Sequence, residues 1–162
     1  MVSSDKALSA ESEKEVKSFR LDNDKYLVVS NAAHLRDIKL LESTYSIKPE
    51  VFEVMEGLEK MKHGFSGECA QLYFKEALGL AVGHYRWMAE VKVGRKKVLK
   101  LQANYLVSYT DLAGCDEGHV KFFFEKVGRF ATYPYFRALF SYQSAESGLM
   151  LPPLPTLSER VD

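Results

Sequence analysis

Residues 84–109 read HYRWMAEVKVGRKKVLKLQANYLVSY, and apolar and polar side chains alternate along nearly the whole stretch. Trp87 falls on the apolar side of the first half, and Arg86 falls on its polar side. A period of two is typical of a β-strand with one buried face and one solvated face. The alternation breaks at Gly94 and resumes from Leu99, so the stretch predicts a long antiparallel hairpin closed by a short glycine-containing loop.

A further strand is predicted upstream of this hairpin. It begins near Ala33, and Leu41, Tyr45 and Ile47 share one side of its alternation. Pro49 ends the strand, because proline has no backbone N–H to donate to a neighbouring strand.

Residues 50–80 are expected to begin with a short helix over residues 50–62, which stops at His63 and Gly64. Its apolar residues at helical spacing are Val51, Val54, Met55, Leu58 and Met61. Residues 67–80 fit two interpretations, because their apolar residues suit both a helical face and a strand that turns at Gly79.

The last third of the chain is predicted to be helical. A first helix places Val120, Phe123, Phe124 and Val127 on one face and ends at Gly128. A second begins near Thr132, carries Pro134 in its first turn and stops at Gly148. Residues 150–155 read MLPPLP, which neither a helix nor a central strand accommodates, so they predict an extended apolar segment lying on another element.

Length and composition set the outer limits. The chain has 162 residues, 22 basic and 22 acidic side chains and no run of five like charges. These values favour one domain and argue against nucleic acid as a partner. The longest apolar stretch, residues 77–82, is far too short to span a bilayer, so we expect a soluble, cytoplasmic protein without membrane insertion. The mixed composition of residues 1–24 predicts a mobile tail.

Catalytic and metal chemistry find little support in the sequence. Cys115 and His119 are four residues apart, and Cys69, His63 or Asp116 completes a conceivable metal site, but such spacing arises often by chance. Neither cysteine lies in a sequence that activates a thiol, and no phosphate-binding glycine motif is present. We therefore expect no catalytic residues, no metal and no cofactor.

Aromatic residues are concentrated near the end of the chain, where nine fall within residues 122–142. A helix that packs one stripe on the sheet turns Phe136, Leu139, Phe140 and Gln143 inward. The same arrangement leaves Tyr135 and Tyr142 facing solvent or a partner. Two interpretations stay open: an aromatic-rich core with surface tyrosines, or a helix that also forms subunit contacts or a binding groove.

Two stretches resemble the SecB family of export chaperones. They read VLKLQANYLVSYTDLAG (98–114) and FFFEKVGRFATYPYFRALFSYQSAESGLMLPPLPTL (122–157). The most specific features are the order of a hairpin, a short helix, a Tyr-Pro-Tyr-Phe-Arg helix start, a Ser/Gly helix end and an LPPL segment. A weaker resemblance extends back to Ala33. The resemblance implies a domain over residues 25–157 and a short tail over residues 158–162.

The resemblance implies an α+β fold, in which helices lie on one face of a four-stranded antiparallel sheet, assembled as a dimer of dimers. It implies an ATP-independent holdase, not an enzyme, that binds unfolded or extended client polypeptide. By position, the client-binding residues implied are Phe136, Phe140, Met150, Leu151 and Leu154. Tyr135 and Tyr142 are the residues implied for subunit contact.

The charge pattern departs from that of the export chaperones, whose acidic outer sheet face docks the ATPase SecA. Here the polar side of the hairpin carries His84, Arg86, Lys92 and Lys100, with Glu90 the only acid among these positions. We therefore expect a dedicated client such as an antitoxin, with delivery of precursors to SecA as the other possibility. Two competing hypotheses are a hot-dog-type acyl thioester enzyme, which needs a long helix in residues 67–80, and a structural adaptor.

Overall fold

The computed structural model describes residues 19–56 and 61–158. In chain order the elements are α1 (Asn23–Ala32), β1 (His34–Ile47), α2 (Glu50–Glu56), β2 (Met61–Lys75), a short 3-10 turn (Glu76–Leu78), β3 (Leu80–Val93), β4 (Lys96–Thr110) and α3 (Glu117–Glu146). The four strands form one sheet in the order β1-β4-β3-β2, and all neighbouring pairs are antiparallel. This is the α+β fold with a four-stranded antiparallel sheet that the sequence predicts.

The predicted hairpin forms the centre of the sheet. β3 and β4 pair with Trp87 opposite Ala103, and burial alternates along both strands. Trp87 and Leu101 are fully buried on the face that α3 covers, which we call the inner face. The opposite, outer face carries Arg86 and the other polar residues of the alternation.

β1 confirms the first predicted strand but not the side of Leu41. Tyr45 and Ile47 are half-buried opposite Leu101 and Leu99 of β4, whereas Leu41 is exposed. The register shifts between Leu40 and Glu42, so Leu41 is the extra residue of a β-bulge. A bulge reverses the side on which the earlier residues lie, and the alternation alone does not reveal it.

The expected helix over residues 50–62 is too long. α2 ends at Glu56, residues 57–60 lie outside the described residues, and Met61 already pairs with Val93 as the first residue of β2. His63 and Gly64, expected to stop the helix, lie inside this strand. Pairing along the whole of β3 overrides the helical spacing of the apolar residues, because tertiary contacts outweigh local propensity.

Residues 67–80 are a strand followed by a turn, so the helical interpretation is wrong. β2 continues to Lys75, the 3-10 turn follows, and Gly79 adopts a positive φ of 59°. The hot-dog hypothesis needs a long helix in this region, and the structure contradicts it.

The two helices predicted for the last third are one helix of 30 residues. Gly128 does not stop it: Gly128 is a buried residue inside the helix, and a Cβ there would make only ordinary contacts at 3.5–3.6 Å with Phe124 and Tyr85. Pro134 lies inside the helix and not in a first turn. The predicted stop at Gly148 is confirmed, since α3 ends at Glu146 and Gly148 has a φ of 73°.

The N-terminal part of the domain starts earlier than residue 25. Asp22 caps α1, and its Oδ1 accepts the backbone N–H groups of Asp24 and Lys25 at 3.0 and 3.3 Å. The ring of Phe19 stacks on Phe122 of α3 at 5.6 Å between centroids. Of the predicted tails, residues 1–18 and 159–162 lie outside the described residues. In the part of the chain that is described, no helix has the length and apolarity to cross a membrane.

Candidate polypeptide-binding groove

The segment after α3 turns back along the helix that precedes it. Ser147 caps the helix, and the left-handed conformation of Gly148 reverses the chain so that Leu149 N–H donates to the carbonyl of Ser144 at 3.0 Å. Residues 149–158, which we call the proline segment, contain no helix or strand, as the sequence predicts. Leu149 and Leu154 of this segment are buried in the core.

Two side chains of α3 hold the proline segment in place through its backbone. Arg137 Nε donates to the carbonyl of Leu154 at 2.5 Å, and the hydroxyl of Tyr133 donates to the carbonyl of Pro155. Burial raises the pKa of Tyr133, although the nearby Arg137 opposes the shift, so the hydroxyl keeps the proton that it donates. The segment therefore runs antiparallel to α3, with residues 154 and 155 opposite the middle of the helix.

A groove of about 350 Å³ lies between α3 and the proline segment. Its lining residues include Phe130, Tyr133, Pro134, Ala138, Ser141 and Leu157. Pro134 has no N–H for the carbonyl one turn before it, which leaves the carbonyl of Phe130 without its helical donor. The groove has a mostly apolar lining, which is typical of ligand-binding clefts.

A second, more polar cavity of about 530 Å³ continues along the helix towards its N-terminus. Phe130 lines both cavities, and Lys126, Arg129 and Glu125 line only the second. The proline segment reaches this cavity at Ser158. The two cavities together follow α3 from Ser141 back to Phe122.

The structure separates the predicted client-binding residues into two groups. Met150 is 92% exposed and Leu151 is half-buried, so both are accessible to a partner. Phe136, Phe140 and Leu154 are buried to within 1% of full burial. A client does not contact these three side chains in this conformation; they form the core beneath the helix and the proline segment.

Tyr135 and Tyr142 lie on the outward side of α3, as the helical spacing predicts. They are 56% and 62% exposed, whereas Phe136 and Phe140 are fully buried. The two tyrosines are seven residues apart, which places them on one face of the helix, and Ala138 lies on the same face between them. Within the described residues, nothing covers the two tyrosine rings of this outward face.

Several groove residues were not singled out from the sequence. Phe130, Tyr133 and Leu157 line the groove or hold the proline segment, and Arg137 fixes its backbone. Tyr133 and Arg137 are hydrogen-bond donors one turn apart on the helix. The prolines keep the segment after the helix out of helices and sheets, so its carbonyls are available to such donors. That combination is the signal that sequence reasoning had available for these residues.

The cysteines and histidines of the described residues are placed as structural groups. Burial raises the pKa of both Cys69 and Cys115, so neither thiol is activated. His119 uses both ring nitrogens: Nε2 accepts the N–H of Asp22 at 3.0 Å, and Nδ1 lies 2.5 Å from the Asp116 carboxylate. In residues 19–56 and 61–158, no three His, Cys, Asp or Glu side chains are grouped to hold a metal ion.

Comparison with known proteins gives one informative similarity. No family model and no curated protein matches the chain. Among solved structures it is similar to the Mycobacterium tuberculosis Rv1957 SecB-like chaperone, determined in complex with a ChAD peptide from the Rv1956 HigA1 antitoxin. The match has a TM-score of 0.69 and 18% identity, and covers 85% of this chain and 99% of that chain.

A protein of unknown function from Streptococcus agalactiae also matches, at 12% identity and a TM-score of 0.37, over 78% of this chain and 97% of that chain. That value is too low to support any comparison. The first match shows that this chain has the SecB-like fold.

Proposed function

We propose that the protein is an ATP-independent chaperone that binds apolar stretches of unfolded polypeptide along α3, and that it is not an enzyme. The groove between α3 and the proline segment carries this proposal. It is open and mostly apolar, and its walls are fixed by the hydrogen bonds of Tyr133 and Arg137. A groove with rigid walls binds a flexible chain without first ordering its own side chains.

The dimensions of the groove favour an extended client. From Phe130 to Ser141 the helix advances by roughly 17 Å, which matches about five residues of extended chain. If the client continues through the second cavity to Phe122, the path lengthens to roughly 29 Å and about nine residues. Lys126 and Arg129 at that end favour clients with an acidic residue beside the apolar stretch.

The residues implied by the resemblance take two roles in this proposal. Met150 and Leu151 contact the client directly, because they are exposed or half-buried in the proline segment that forms one wall of the groove. Phe136, Phe140 and Leu154 act from below by fixing the helix and the proline segment. Changing one of these three is expected to unfold the domain, so they are unsuitable as probes of binding.

Assembly of subunits increases the binding surface. We assign Tyr135 and Tyr142 to contacts between subunits in a dimer of dimers. Both rings are exposed on one helix face, and a second subunit that packs on this face would remove them from water. Several grooves on one assembly bind a long client through many weak contacts, which slows its release.

The client that we favour is an antitoxin, and the site of action is the cytoplasm. The Rv1957 chaperone of similar fold was determined with an antitoxin peptide, which supports this choice. Delivery of precursors to SecA is the second possibility. It is less favoured because the carboxylates of the outer sheet face are interspersed with Arg86, Lys92 and Lys100, where a continuous acidic surface would be required.

A pair of tryptophan substitutions tests the groove. Ala138→Trp fills the groove, whereas Ala145→Trp adds the same side chain two turns further along the helix, at an exposed position outside the groove lining. In light-scattering assays without ATP, the wild type and Ala145→Trp should suppress aggregation of an unfolded model protein, and Ala138→Trp should lose most of this activity. Equal suppression by all three proteins would contradict the proposal, as would a wild type that suppresses nothing.

A further inference from the structure

Three lysines stand in one row across the outer face of the sheet. Lys62 of β2 pairs with Lys92 of β3, and Lys92 pairs with Lys97 of β4. A register shift between Val91 and Lys92 gives β4 an extra residue, which brings Lys97 to the outer face. The lysine row (Lys62, Lys92 and Lys97) therefore crosses three strands, a width of about 10 Å.

This arrangement is unfavourable in the free protein. Like charges directly opposite each other on neighbouring strands repel and destabilise a sheet. Elsewhere the same face pairs opposite charges, as in Glu90 with Lys100 and Glu68 with Arg86. The lysine row departs from a pattern that the rest of the face follows.

One carboxylate compensates the lysine row within the described residues. Glu90 lies 2.7 Å from Lys97 Nζ and 3.9 Å from Lys92 Nζ, and its side chain is only 15% exposed. The two lysine side chains are 45% and 55% exposed, so a larger partner can reach them. Glu90 thus shows how a carboxylate is bound at this site, between the ammonium groups of two lysines.

We propose that the lysine row is a docking surface for a short acidic segment of a partner polypeptide. The surface lies on the face of the sheet opposite α3, so its occupation is independent of the groove and of the function proposed above. Carboxylates of the partner relieve the repulsion among the lysines, and the charge complementarity that holds them is screened by salt.

The extent of the surface selects a peptide over a nucleic acid. Along β3 the cationic region extends from Lys92 to Lys100, which lies opposite Glu90. About 20 Å from Lys92, a row of hydrogen-bonded polar side chains crosses the face. In this chain Glu68 accepts from Arg86, Arg86 donates to Asn104, and Asn104 donates to Glu42. A nucleic acid would carry its phosphates onto these carboxylates, whereas a short acidic peptide stays on the lysines.

The test measures the binding of a fluorescein-labelled hexaglutamate peptide by anisotropy, at low and at physiological ionic strength. Replacing the three lysines of the row with glutamine should weaken binding by about tenfold or more. The matched control replaces Lys39, Lys75 and Lys121, three exposed lysines outside the row, and should change binding by less than about twofold. Equal effects of the two triple variants, or no binding by the wild type, would overturn the proposal.

Two further measurements separate docking from the alternatives. A labelled oligothymidylate of equal charge should bind more weakly than the peptide, and tighter binding would assign the surface to nucleic acid instead. Lys62→Glu places opposite charges across from each other, so it should weaken peptide binding while raising Tm by about 2 °C. A fall in Tm together with weaker binding would show that the lysine row serves the fold, which overturns the proposal.

Discussion

Replacing Thr132 with valine tests how α3 is fixed to the centre of the sheet. Trp87 Nε1 donates to Thr132 Oγ1 at 2.8 Å, and both residues are fully buried. The hydroxyl of Thr132 in turn donates to the carbonyl of Gly128 at 2.8 Å. Valine keeps the shape of threonine but offers no acceptor, so the variant leaves the indole N–H unpaired inside the core.

The expected loss follows from these contacts. An unpaired buried donor lowers the free energy of unfolding by about 1–3 kcal/mol. The carbonyl of Gly128 still accepts the helical N–H of residue 132, so losing its second donor adds little. In a domain of this size 1 kcal/mol corresponds to about 2–4 °C, and the expected fall in Tm is about 2–12 °C.

Fluorescence provides a direct assay, because Trp87 is the only tryptophan in the sequence. Urea unfolding followed by its emission, at one fixed protomer concentration, gives the free energies of the wild type and of the variant. Thr44→Val, on an exposed position of β1, is the matched control. If Thr132→Val loses less than about 0.5 kcal/mol, no more than a surface substitution, the hydrogen bond does not fix the helix and the reasoning fails.

Three further predictions concern other contacts of the fold. Gly67→Ala should destabilise the domain by about 1–3 kcal/mol in the same urea assay, because the new Cβ would lie 2.5 Å from the ring of Trp87. Gly64→Ala in the same strand is the control and should have little effect, because its Cβ meets nothing within 4 Å. Hydrogen bonds from His119 hold the pKa of Asp116 below its ordinary value of 3.8, so its contribution is complete above that value and is lost as the pH falls through the lower, folded-state pKa. Asp116→Asn should therefore flatten the acid limb of the stability–pH curve, and an unchanged limb would contradict this. Tyr133→Phe should lower the free energy of unfolding by about 0.5–1.5 kcal/mol in the same urea assay, and a loss no larger than that of a surface substitution would show that the hydroxyl does not hold the proline segment.

The elements predicted correctly from the sequence are those whose pattern is long and one-sided. The hairpin of β3 and β4 has one buried face over its whole length, so its alternation survives in the structure. β2 is an edge strand with only six of its 15 residues partly buried, and its apolar residues fit a helix equally well. Its identity depends on pairing with β3, which is a long-range interaction that local spacing does not encode.

α1 was missed although a local signal was present. Asp22 is an N-cap residue, but most of the residues that follow it are weak helix formers, and the helix buries only Val29 completely, so it shows almost no amphipathic pattern. The junction at Gly128 was misjudged for the opposite reason. A glycine often ends a helix, yet here the helix continues through Gly128 because the buried residues on either side, Phe124 and Thr132, hold it on the sheet.

The candidate site was only partly accessible to sequence reasoning. The outward position of Tyr135 and Tyr142 follows from helical spacing, and the structure agrees with it. The groove depends on how the proline segment folds back, which is fixed by hydrogen bonds from Tyr133 and Arg137 to backbone carbonyls. Because a carbonyl acceptor is common to all residue types, the sequence of the segment does not reveal where it attaches.

The same attachment affects which parts of the groove can vary without loss of the fold. Arg137 and Tyr133 recognise the main chain of residues 154 and 155, so the anchoring does not require particular side chains at the neighbouring positions. Thr156, which is exposed and lines the groove next to these anchors, is therefore free to differ in size and polarity, whereas Leu157 packs against the core and must stay apolar. Exchanging Thr156, and varying Leu157 among apolar residues, offers a way to retune which clients are accepted while the scaffold stays intact.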